Sequence, residues 1–345
     1  MSALVQLSTH RDAASGKHYV RTMPVVVISP HNQCNCRCVM CDIWRIRENR
    51  EISSADLAPH LAAFRKLHVR WVVLSGGEPQ MHSHLHIFLR AIRAQQVRVT
   101  LLTAGLLLER QAEIIADTVD DVIVSFDGPP EVHDRIRRVK HASATIAAGI
   151  TALRRYRKNM TIRARCTVQK ANHNRLCDAV EAAHLVGMNS ISFLAADVSS
   201  SAFNRPDGWK EDRRQQVLLD HSELEALEQQ IERLIQEEGH YAPGFIVESP
   251  DKLRRIPSHF RAWLEGSGHV APKCNAPWVS AVIEASGDVR PCFFHPTIGN
   301  IHDHSFDHIV NGPEALRFRE QLDVSQNSTC RKCVCSLYLP DADHI

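Results

Sequence analysis

The chain has 345 residues, of which 44% are hydrophobic and 23% are charged, and its formal net charge is +2. This length allows one large domain with a smaller one beside it. The nearly balanced charge does not favour nucleic acid or an anionic membrane as a partner. No apolar run approaches the roughly 20 residues of a membrane span, and none near the start marks a signal peptide. We therefore expect a cytoplasmic protein that binds neither nucleic acid nor membranes.

Eleven cysteines are present, and most of them lie in two groups, one within residues 34–41 and one within residues 274–335. Clustered cysteines in a cytoplasmic chain of this size indicate metal binding rather than disulfides. The sequence thus predicts two thiol-rich metal sites.

The first 200 residues alternate between short apolar runs and helical patterns. Residues 1–21 are polar and irregular, and we expect them to form an N-terminal tail. Val25–Ile28 is an apolar run that ends at Ser29-Pro30, as in a buried strand of a parallel sheet. Comparable strands are predicted at residues 71–74, 98–103, 121–125, 161–168 and 190–194. Six strands that alternate with helices predict an α/β fold with right-handed crossovers, whose functional residues collect at the carboxyl ends of the strands.

The alternation stops near residue 200. Ser222 and Glu225 fit a capping box that would open an amphipathic helix, and residues 201–265 are expected to form a helical connection. Residues 266–345 carry the second cysteine group and are expected to form a small cysteine-rich α+β unit. The core of the fold would then span residues 22–200.

The first cysteine group has a defined spacing. Three residues separate Cys34 from Cys38, and two separate Cys38 from Cys41. Thiolates favour iron–sulfur clusters, zinc or Cu(I), and a cubane cluster normally takes four cysteines. Three ligands would therefore leave one iron open to a substrate or cofactor. A zinc site or a set of reduced buried thiols is the alternative, and Cys36, which does not fit the spacing, is expected to be a bystander.

Short polar motifs follow two of the predicted strands. Gly76–Pro79 (GGEP) follows the second strand, where glycines let backbone approach a ligand and a carboxylate can bind an ammonium group. Ser125–Pro129 (SFDGP) follows the fourth strand. A plain strand-to-helix turn is the alternative at both places. Their position near the cysteine loop favours a ligand-binding role.

The three-cysteine spacing, the GGEP motif and the SFDGP motif, in this order, resemble the radical S-adenosylmethionine (SAM) superfamily. The resemblance implies a partial (β/α)6 barrel over residues 22–200, with a [4Fe–4S] cluster on Cys34, Cys38 and Cys41 whose fourth iron binds SAM. It also implies a one-electron donor such as flavodoxin or ferredoxin as a partner. The residues that would contact SAM by this resemblance are Met40, Gly76, Gly77, Glu78, Ser125 and Asp127.

Two further sets of polar residues lie near the strand ends. His133, Asp134 and Arg137 resemble a His-Asp-x-x-Arg motif of many superfamily members, whose role the sequence leaves open. Arg163 and Arg165 alternate with apolar residues on the fifth strand, and inside the barrel either could meet a carboxylate. We expect them instead to be surface arginines on the helix-facing side of the strand.

The second cysteine group contains Cys274, Cys292, Cys330 and Cys333. Four thiolates can close a tetrahedral zinc site or hold a cubane cluster, and zinc is the default for such a set alone. The Gly-Asp-Val-Arg-Pro-Cys run that ends at Cys292 resembles the auxiliary-cluster unit of the SPASM and twitch enzymes. Only Cys335 follows the final pair, so the resemblance is to the shorter twitch form with one auxiliary [4Fe–4S] cluster.

These resemblances together imply a radical SAM oxidoreductase or maturase that cleaves SAM reductively and abstracts a hydrogen atom from its substrate. A fully ligated auxiliary cluster has no open iron and favours electron acceptance, so we expect net two-electron oxidation of a small molecule or peptide. The alternatives are a radical SAM rearrangement, epimerisation or carbon–carbon bond formation in cofactor or natural-product biosynthesis, and a non-catalytic zinc or redox-sensing protein.

Overall fold

Nine strands form a single sheet in the computed structural model, which describes residues 18–340. Most of the expected N-terminal tail lies outside the described residues. The strands are ordered β6-β5-β4-β3-β2-β1-β7-β8-β9 across the sheet. Their bounds are β1 (Val25–Ile28), β2 (Trp71–Leu74), β3 (Arg98–Thr103), β4 (Asp121–Ser125), β5 (Thr161–Val168), β6 (Ser190–Ala195), β7 (Ser280–Ile283), β8 (Asp288–Arg290) and β9 (Gly299–Asn300).

The first six strands run parallel and pair in chain order. Helices connect them, and their apolar faces pack on the sheet to form the main hydrophobic core. This confirms the predicted α/β fold and puts six carboxyl ends at one edge of the sheet. The connecting helices are α1 (Ser54–Leu57), α2 (Leu61–Lys66), α3 (Leu85–Arg93), α4 (Ala112–Thr118), α5 (Pro130–Arg137), α6 (Ala142–Tyr156) and α7 (Leu176–Leu185).

Strand β5 shows how the two faces of the sheet differ. Ile162, Ala164 and Cys166 are fully buried, and they belong to the core shared with the helices. Arg163 and Arg165 are half-buried, and the alternation of side chains along a strand puts them on the opposite, inner face. The expectation that these arginines lie on the helix-facing side is therefore wrong.

A helical connection follows β6. The N-cap of its longest helix lies two residues before the predicted cap. Asp220 Oδ1 accepts a hydrogen bond from the backbone N–H of Glu223 at 2.9 Å, and Glu223 Oε2 accepts one from the backbone N–H of Asp220 at 2.9 Å. The reciprocal capping box is thus Asp220 with Glu223, and the predicted box of Ser222 with Glu225 is wrong. The helices are α8 (Glu211–Arg214), α9 (His221–Glu237) and α10 (Pro250–Leu264).

The same connection covers the outer edge of β6. The N–H of Ile191 donates to the carbonyl of Phe245 at 2.7 Å, and the N–H of Val247 donates to the carbonyl of Ile191 at 3.0 Å. An uncovered edge strand would leave these backbone groups unpaired. Because α10 follows directly and packs against β6, its first turns lie near the carboxyl ends of β5 and β6.

The C-terminal unit shares the sheet of the core. Strand β7 pairs in parallel with β1, from Val25 opposite Ser280 to Ile28 opposite Ile283, and β8 and β9 continue antiparallel. Among the described helices, none is both long and apolar enough to cross a membrane. The helices of this unit are α11 (Ala276–Val279), α12 (Phe306–Asn311), α13 (Pro313–Gln321) and α14 (Ser328–Arg331).

The buried side chain of Arg319, on α13, links three segments of the chain by hydrogen bonds. Its side chain is 1% exposed. Its Nε donates to the carbonyl of His18 at 2.7 Å, Nη2 donates to that of Val310 at 2.7 Å, and Nη1 donates to that of Pro277 at 3.4 Å. One guanidinium thus satisfies buried carbonyls from three separate segments.

We expect Arg319→Ala to destabilise the protein by about 2–4 kcal/mol, because it leaves buried carbonyls without donors and opens a cavity. Arg317→Ala on the same helix is the matched control, since Arg317 is exposed, and it should change stability by less than about 0.5 kcal/mol. Thermal and denaturant unfolding under anaerobic conditions measure both values. Equal stability of the two variants would contradict this role of Arg319.

Candidate functional site

Thiols and polar side chains collect at the carboxyl ends of the first four strands. The cysteine loop at residues 34–41 follows β1, and Gly76–Pro79 follows β2. Thr103 ends β3, and Ser125–Pro129 starts at the last residue of β4. The structure therefore brings the predicted motifs to one edge of the sheet.

All four cysteines of the loop are free thiols, and Cys36 and Cys38 are buried, whereas Cys34 and Cys41 are half-buried. The backbone N–H of Cys36 donates to Cys34 Sγ at 3.4 Å. Interaction with the thiols of Cys34 and Cys38, together with burial, raises the pKa of Cys36. The residue expected to be a bystander therefore lies among the expected ligands.

The thiols of this loop influence one another. The hydrogen bond from Cys36, against the opposing effect of burial and together with the charge of Arg137, lowers the pKa of Cys38 to about 6. Burial and the nearby Cys38 charge raise the pKa of Cys41 to about 12. Thiolates bind metals and thiols do not, so this donor set needs a bound cationic centre to ionise fully. That chemistry fits an iron–sulfur cluster.

No three His, Cys, Asp or Glu side chains of the described residues are arranged to hold a single metal ion. This holds for both cysteine groups.

Arg137, at the end of α5, contacts the loop through side chain and backbone. Its Nε donates to Asp127 Oδ2 at 2.6 Å, and its Nη1 donates to Cys38 Sγ at 3.5 Å. Arg137 and Asp127 are both buried. The N–H groups of Arg37 and Val39 donate to the last carbonyls of α5 at 3.1 and 3.0 Å. Helix α5 therefore determines both the position of the loop and the charge beside it.

The other two residues of the His-Asp-x-x-Arg motif stabilise the connection between β4 and α5 by hydrogen bonds. His133 Nδ1 accepts a hydrogen bond from the backbone N–H of Asp127 at 3.1 Å, and burial lowers the pKa of His133 to about 4, so the ring is neutral at pH 7. Asp134 Oδ1 accepts from the N–H of Ser143 at 3.0 Å, which joins α5 to α6. The motif therefore holds the β4–α5 connection in place around Arg137.

Ser125 and Asp127 differ in their access to a ligand. Asp127 is 0% exposed, its Oδ1 accepts from the N–H of Thr167 at 2.9 Å, and its Oδ2 accepts from Arg137. Ser125 is half-buried on the inner face, and its hydroxyl forms no hydrogen bond with the described part of the chain. Ser125 is thus available to a ligand, whereas both carboxylate oxygens of Asp127 have protein partners.

The two glycines after β2 permit a close backbone contact with the cysteine loop. A Cβ atom at Gly77 would lie 2.1 Å from the carbonyl oxygen of Gln33, and one at Gly76 would lie 2.5 Å from Ser29 Cβ. Gly76 also has a φ of +106°, which L side chains rarely adopt. The N–H of Glu78 then donates to the carbonyl of Gln33 at 2.7 Å. Only glycine at both positions allows this contact.

The Glu78 side chain is buried and faces β3. Its Oε1 accepts from Thr103 Oγ1 at 2.8 Å and from the N–H of Gln80 at 3.1 Å, and its Oε2 accepts from the N–H of Ala104 at 2.6 Å. Burial raises its pKa. The carboxylate therefore ties the end of β2 to the end of β3, and the expected contact with a SAM ammonium group stays a prediction.

The segment after β6 covers the cysteine loop, which sequence reasoning missed. Trp209 Nε1 donates to Asp42 Oδ2 at 2.5 Å, and Arg213 Nη2 donates to the carbonyl of Val39 at 2.6 Å. Met40 and Val39 pack against a small apolar cluster formed by this segment. The loss of strand–helix alternation near residue 200 was the one signal in the sequence, and it did not indicate where the segment lies.

The second cysteine group forms one set of mutually influencing thiols. Burial and the charges of neighbouring thiols raise the pKa of Cys292 to about 12 and that of Cys330 to about 11. Cys333 Sγ donates to the carbonyl of Cys335 at 2.8 Å. His295 Nε2 lies 3.3 Å from Cys330 Sγ, a contact that no motif predicts. The free, half-buried thiols of the set are Cys274, Cys292, Cys330, Cys333 and Cys335.

Two family profiles match this chain. Residues 28–164 match the radical SAM superfamily, and residues 274–334 match the iron–sulfur cluster-binding domain known as SPASM. Together the two ranges contain all seven cysteines predicted as cluster ligands.

Curated relatives come from several organisms. The pre-heme d1 synthase of Dinoroseobacter shibae is 24% identical over 85% of this chain and 74% of its own length. The antilisterial bacteriocin subtilosin biosynthesis protein AlbA of Bacillus subtilis is 25% identical, with 76% of this chain and 53% of AlbA covered. The Fe-coproporphyrin III synthase of Methanosarcina barkeri is 31% identical over 37% of this chain and 33% of its own length. This chain thus spans about half of AlbA and a third of the last relative.

Solved structures agree on the fold. Streptococcus suis SuiB bound to its precursor peptide SuiA superposes with a TM-score of 0.66 at 15% identity, with 93% of this chain and 73% of SuiB covered. The anSMEcpe protein with bound AdoMet superposes with a TM-score of 0.62 at 17% identity, with 90% of this chain and 86% of anSMEcpe covered. From the two profiles, residues 28–164 form a radical SAM domain and residues 274–334 form a SPASM-type domain, and the cofactors are SAM with a [4Fe–4S] cluster and an auxiliary iron–sulfur cluster.

Proposed function

We propose that this protein is a radical SAM oxidoreductase or maturase that carries out net two-electron oxidation of a small molecule or a peptide. The position of the second cysteine group supports this most. Cys333 and Cys335 line the same cavity as Arg165, which lies on the inner face of β5. A cluster held there would border the carboxyl ends of the barrel strands, where substrates of such folds bind. A cluster that accepts the second electron of the substrate would have to lie near the bound substrate.

The chain offers one ligand set for each cluster. When bound, the first cluster and SAM supply a one-electron reduction and the abstraction of a substrate hydrogen atom. The assigned ligands are Cys34, Cys38 and Cys41 for the SAM-binding [4Fe–4S] cluster, and Cys274, Cys292, Cys330 and Cys333 for the auxiliary [4Fe–4S] cluster.

Two of the proposed SAM-binding residues, Glu78 and Asp127, also position other groups of the site. Glu78 would hold the ends of β2 and β3 at the correct separation, because its oxygens accept from protein donors on both. Asp127 would act through Arg137, which in turn contacts Cys38. The residues proposed to contact SAM are Met40, Gly76, Gly77, Glu78, Ser125 and Asp127, and of these Glu78 and Asp127 also have the protein partners just described.

The two proposed substrate classes, a small molecule and a peptide, both occur in the names of the relatives. SuiB was solved with a precursor peptide, while pre-heme d1 synthase and Fe-coproporphyrin III synthase are named as makers of small molecules. A flavodoxin or ferredoxin would supply the electron, and the cytoplasm would provide the reducing conditions that exposed thiols and clusters need.

Metal content and two cysteine variants test the ligand assignment. Protein purified anaerobically should contain about eight irons and eight sulfides per chain.

Cys38→Ala should lose about four irons and all reductive SAM cleavage, because it removes one ligand of the SAM-binding cluster. Cys36→Ala, two residues away, should keep both properties. Stoichiometric zinc with little iron would refute the proposal, and loss of SAM cleavage in Cys36→Ala would show that the ligands are misassigned.

Arg137→Gln should lower the reduction potential of the SAM-binding cluster. With the cluster bound to Cys38, the guanidinium would stabilise the extra negative charge of the reduced state, and a hydrogen bond from a charged group of this kind corresponds to a shift on the order of 50–100 mV for one electron. A redox titration followed by electron paramagnetic resonance, on the signal that changes when SAM is added, measures it.

Two variants control for structural damage at this position. Arg137→Lys should restore part of the potential because it keeps the charge. Arg138→Gln alters the neighbouring exposed arginine and should leave the potential unchanged. An unaltered potential in Arg137→Gln, with clusters present, would show that Arg137 is only a scaffold.

The mass and the yield of the product test whether the auxiliary cluster accepts the second electron of the substrate. Cys333→Ala should still cleave SAM but should form little product, since the acceptor for the substrate's second electron is damaged. In the wild type, the product should be two hydrogens lighter than the substrate, with about one SAM consumed per turnover. Mass spectrometry of the product together with deoxyadenosine yield measures both. A product isomeric with its substrate, or full product formation by Cys333→Ala, would rule out net oxidation through this cluster.

A further inference from the structure

A cavity of about 550 Å³ lies where the barrel meets the C-terminal unit. The carboxyl ends of β5 and β6 form one side, α10 forms another, and residues 268–273 and 331–336 close it. This volume suits a small molecule. The apolar side chains in the lining include Leu194, Ile256, Val270 and Pro272.

The lining is strongly basic. Its one acidic side chain is Glu248. His259 and His269 also line it, and burial lowers the pKa of both, so they are neutral at pH 7. The whole chain has 41 lysines and arginines against 39 acidic residues, so composition does not explain this local excess. The five basic side chains are Arg165, Lys252, Arg255, Lys273 and Arg331.

Three of the five basic side chains contact neutral groups. Arg165 Nε donates to Ser192 Oγ at 2.6 Å, and Arg331 Nε donates to a backbone carbonyl at 2.9 Å. Lys273 Nζ lies 3.9 Å from the centre of the Tyr338 ring. Within residues 18–340, none of the five forms an ion pair.

The single carboxylate of Glu248 cannot balance five positive charges, although Arg165 and Lys252 lie near enough to act on its pKa. Its Oε2 accepts a hydrogen bond from the N–H of Phe193 at 2.9 Å, and burial raises its pKa. Arg205, by comparison, pairs with the carboxylate of Asp197 at 2.5 Å, whereas the half-buried Arg165 forms no ion pair among the described residues. Like charges that converge on one space repel each other, and a bound anion would remove that cost.

We propose that this cavity is the substrate site and that it takes a small molecule with at least two carboxylate or phosphate groups. The identification of this ligand as the substrate rests on the proposed function; the anion site itself does not. Arginine binds either anion through two parallel hydrogen bonds, and lysine adds a mobile point charge. The apolar lining contacts the rest of the molecule. Because Cys333 and Cys335 share the cavity, the bound molecule lies beside the second cysteine group.

Isothermal titration calorimetry on the full chain with its clusters tests the site. The probes are propane-1,2,3-tricarboxylate and pyrophosphate, each at constant ionic strength set with chloride. At least one should bind with a dissociation constant below the millimolar range. The double variant Lys252→Gln with Arg255→Gln should weaken that binding by at least about tenfold, because it removes two charged hydrogen-bond donors. Tighter tricarboxylate binding identifies a carboxylate substrate, and tighter pyrophosphate binding identifies a phosphate.

A matched control removes the same charge from the same helix outside the cavity. Arg254 and Arg261 lie on α10 and pair with Glu232 and Glu228, so their double change to Gln should leave anion binding unaltered. Iron content and melting temperature verify that both double variants are folded. Equal weakening in both, or no binding of either probe, would overturn the site. The titration uses neither SAM nor a reductant, so its failure is separate from failure of the proposed reaction, which SAM cleavage by the wild type tests.

Discussion

The buried pair of Asp127 and Arg137 is the interaction on which the geometry of the first cysteine loop depends. Loss of one partner of such a pair leaves an uncompensated buried charge, which costs about 3–5 kcal/mol. The same guanidinium also reaches Cys38, which is 99 positions away in the chain. Strand β4, helix α5 and the loop after β1 are therefore joined by a single charged group, and the loop gains a positive charge where its thiolates must form.

The sheet provides the second constraint. Strand β7 of the C-terminal unit pairs with β1, the strand that leads into the first cysteine loop. Both cysteine groups are consequently attached to one continuous hydrogen-bonded sheet. The connection after β6 closes the opposite side, where α10 and the residues around Cys333 meet the inner face of β5. This arrangement leaves one basic cavity between the barrel and the second thiol set.

Local patterns in the sequence were sufficient for much of the architecture. The strands from Val25–Ile28 onward are short apolar runs, and their order alone predicts a parallel sheet. Local patterns were insufficient where the direction of a side chain decides its role. Arg163 and Arg165 alternate with apolar residues in either orientation of β5, and only packing against the helices shows which face is the inner one. The helix cap was missed because Asp220 and Ser222 are both good N-cap residues, and the chain begins its helix at the first.

The sequence by itself determined which strands of the barrel form and which thiols are candidate metal ligands, because hydrophobic periodicity and cysteine spacing are properties of neighbouring residues. The tertiary structure decided which groups those thiols meet. The contact of Arg137 with Cys38, the cover over Met40 and the basic lining around Arg165 each join segments far apart in the chain. Such contacts arise from the packing of whole strands and helices, and a single sequence carries no local signal of them.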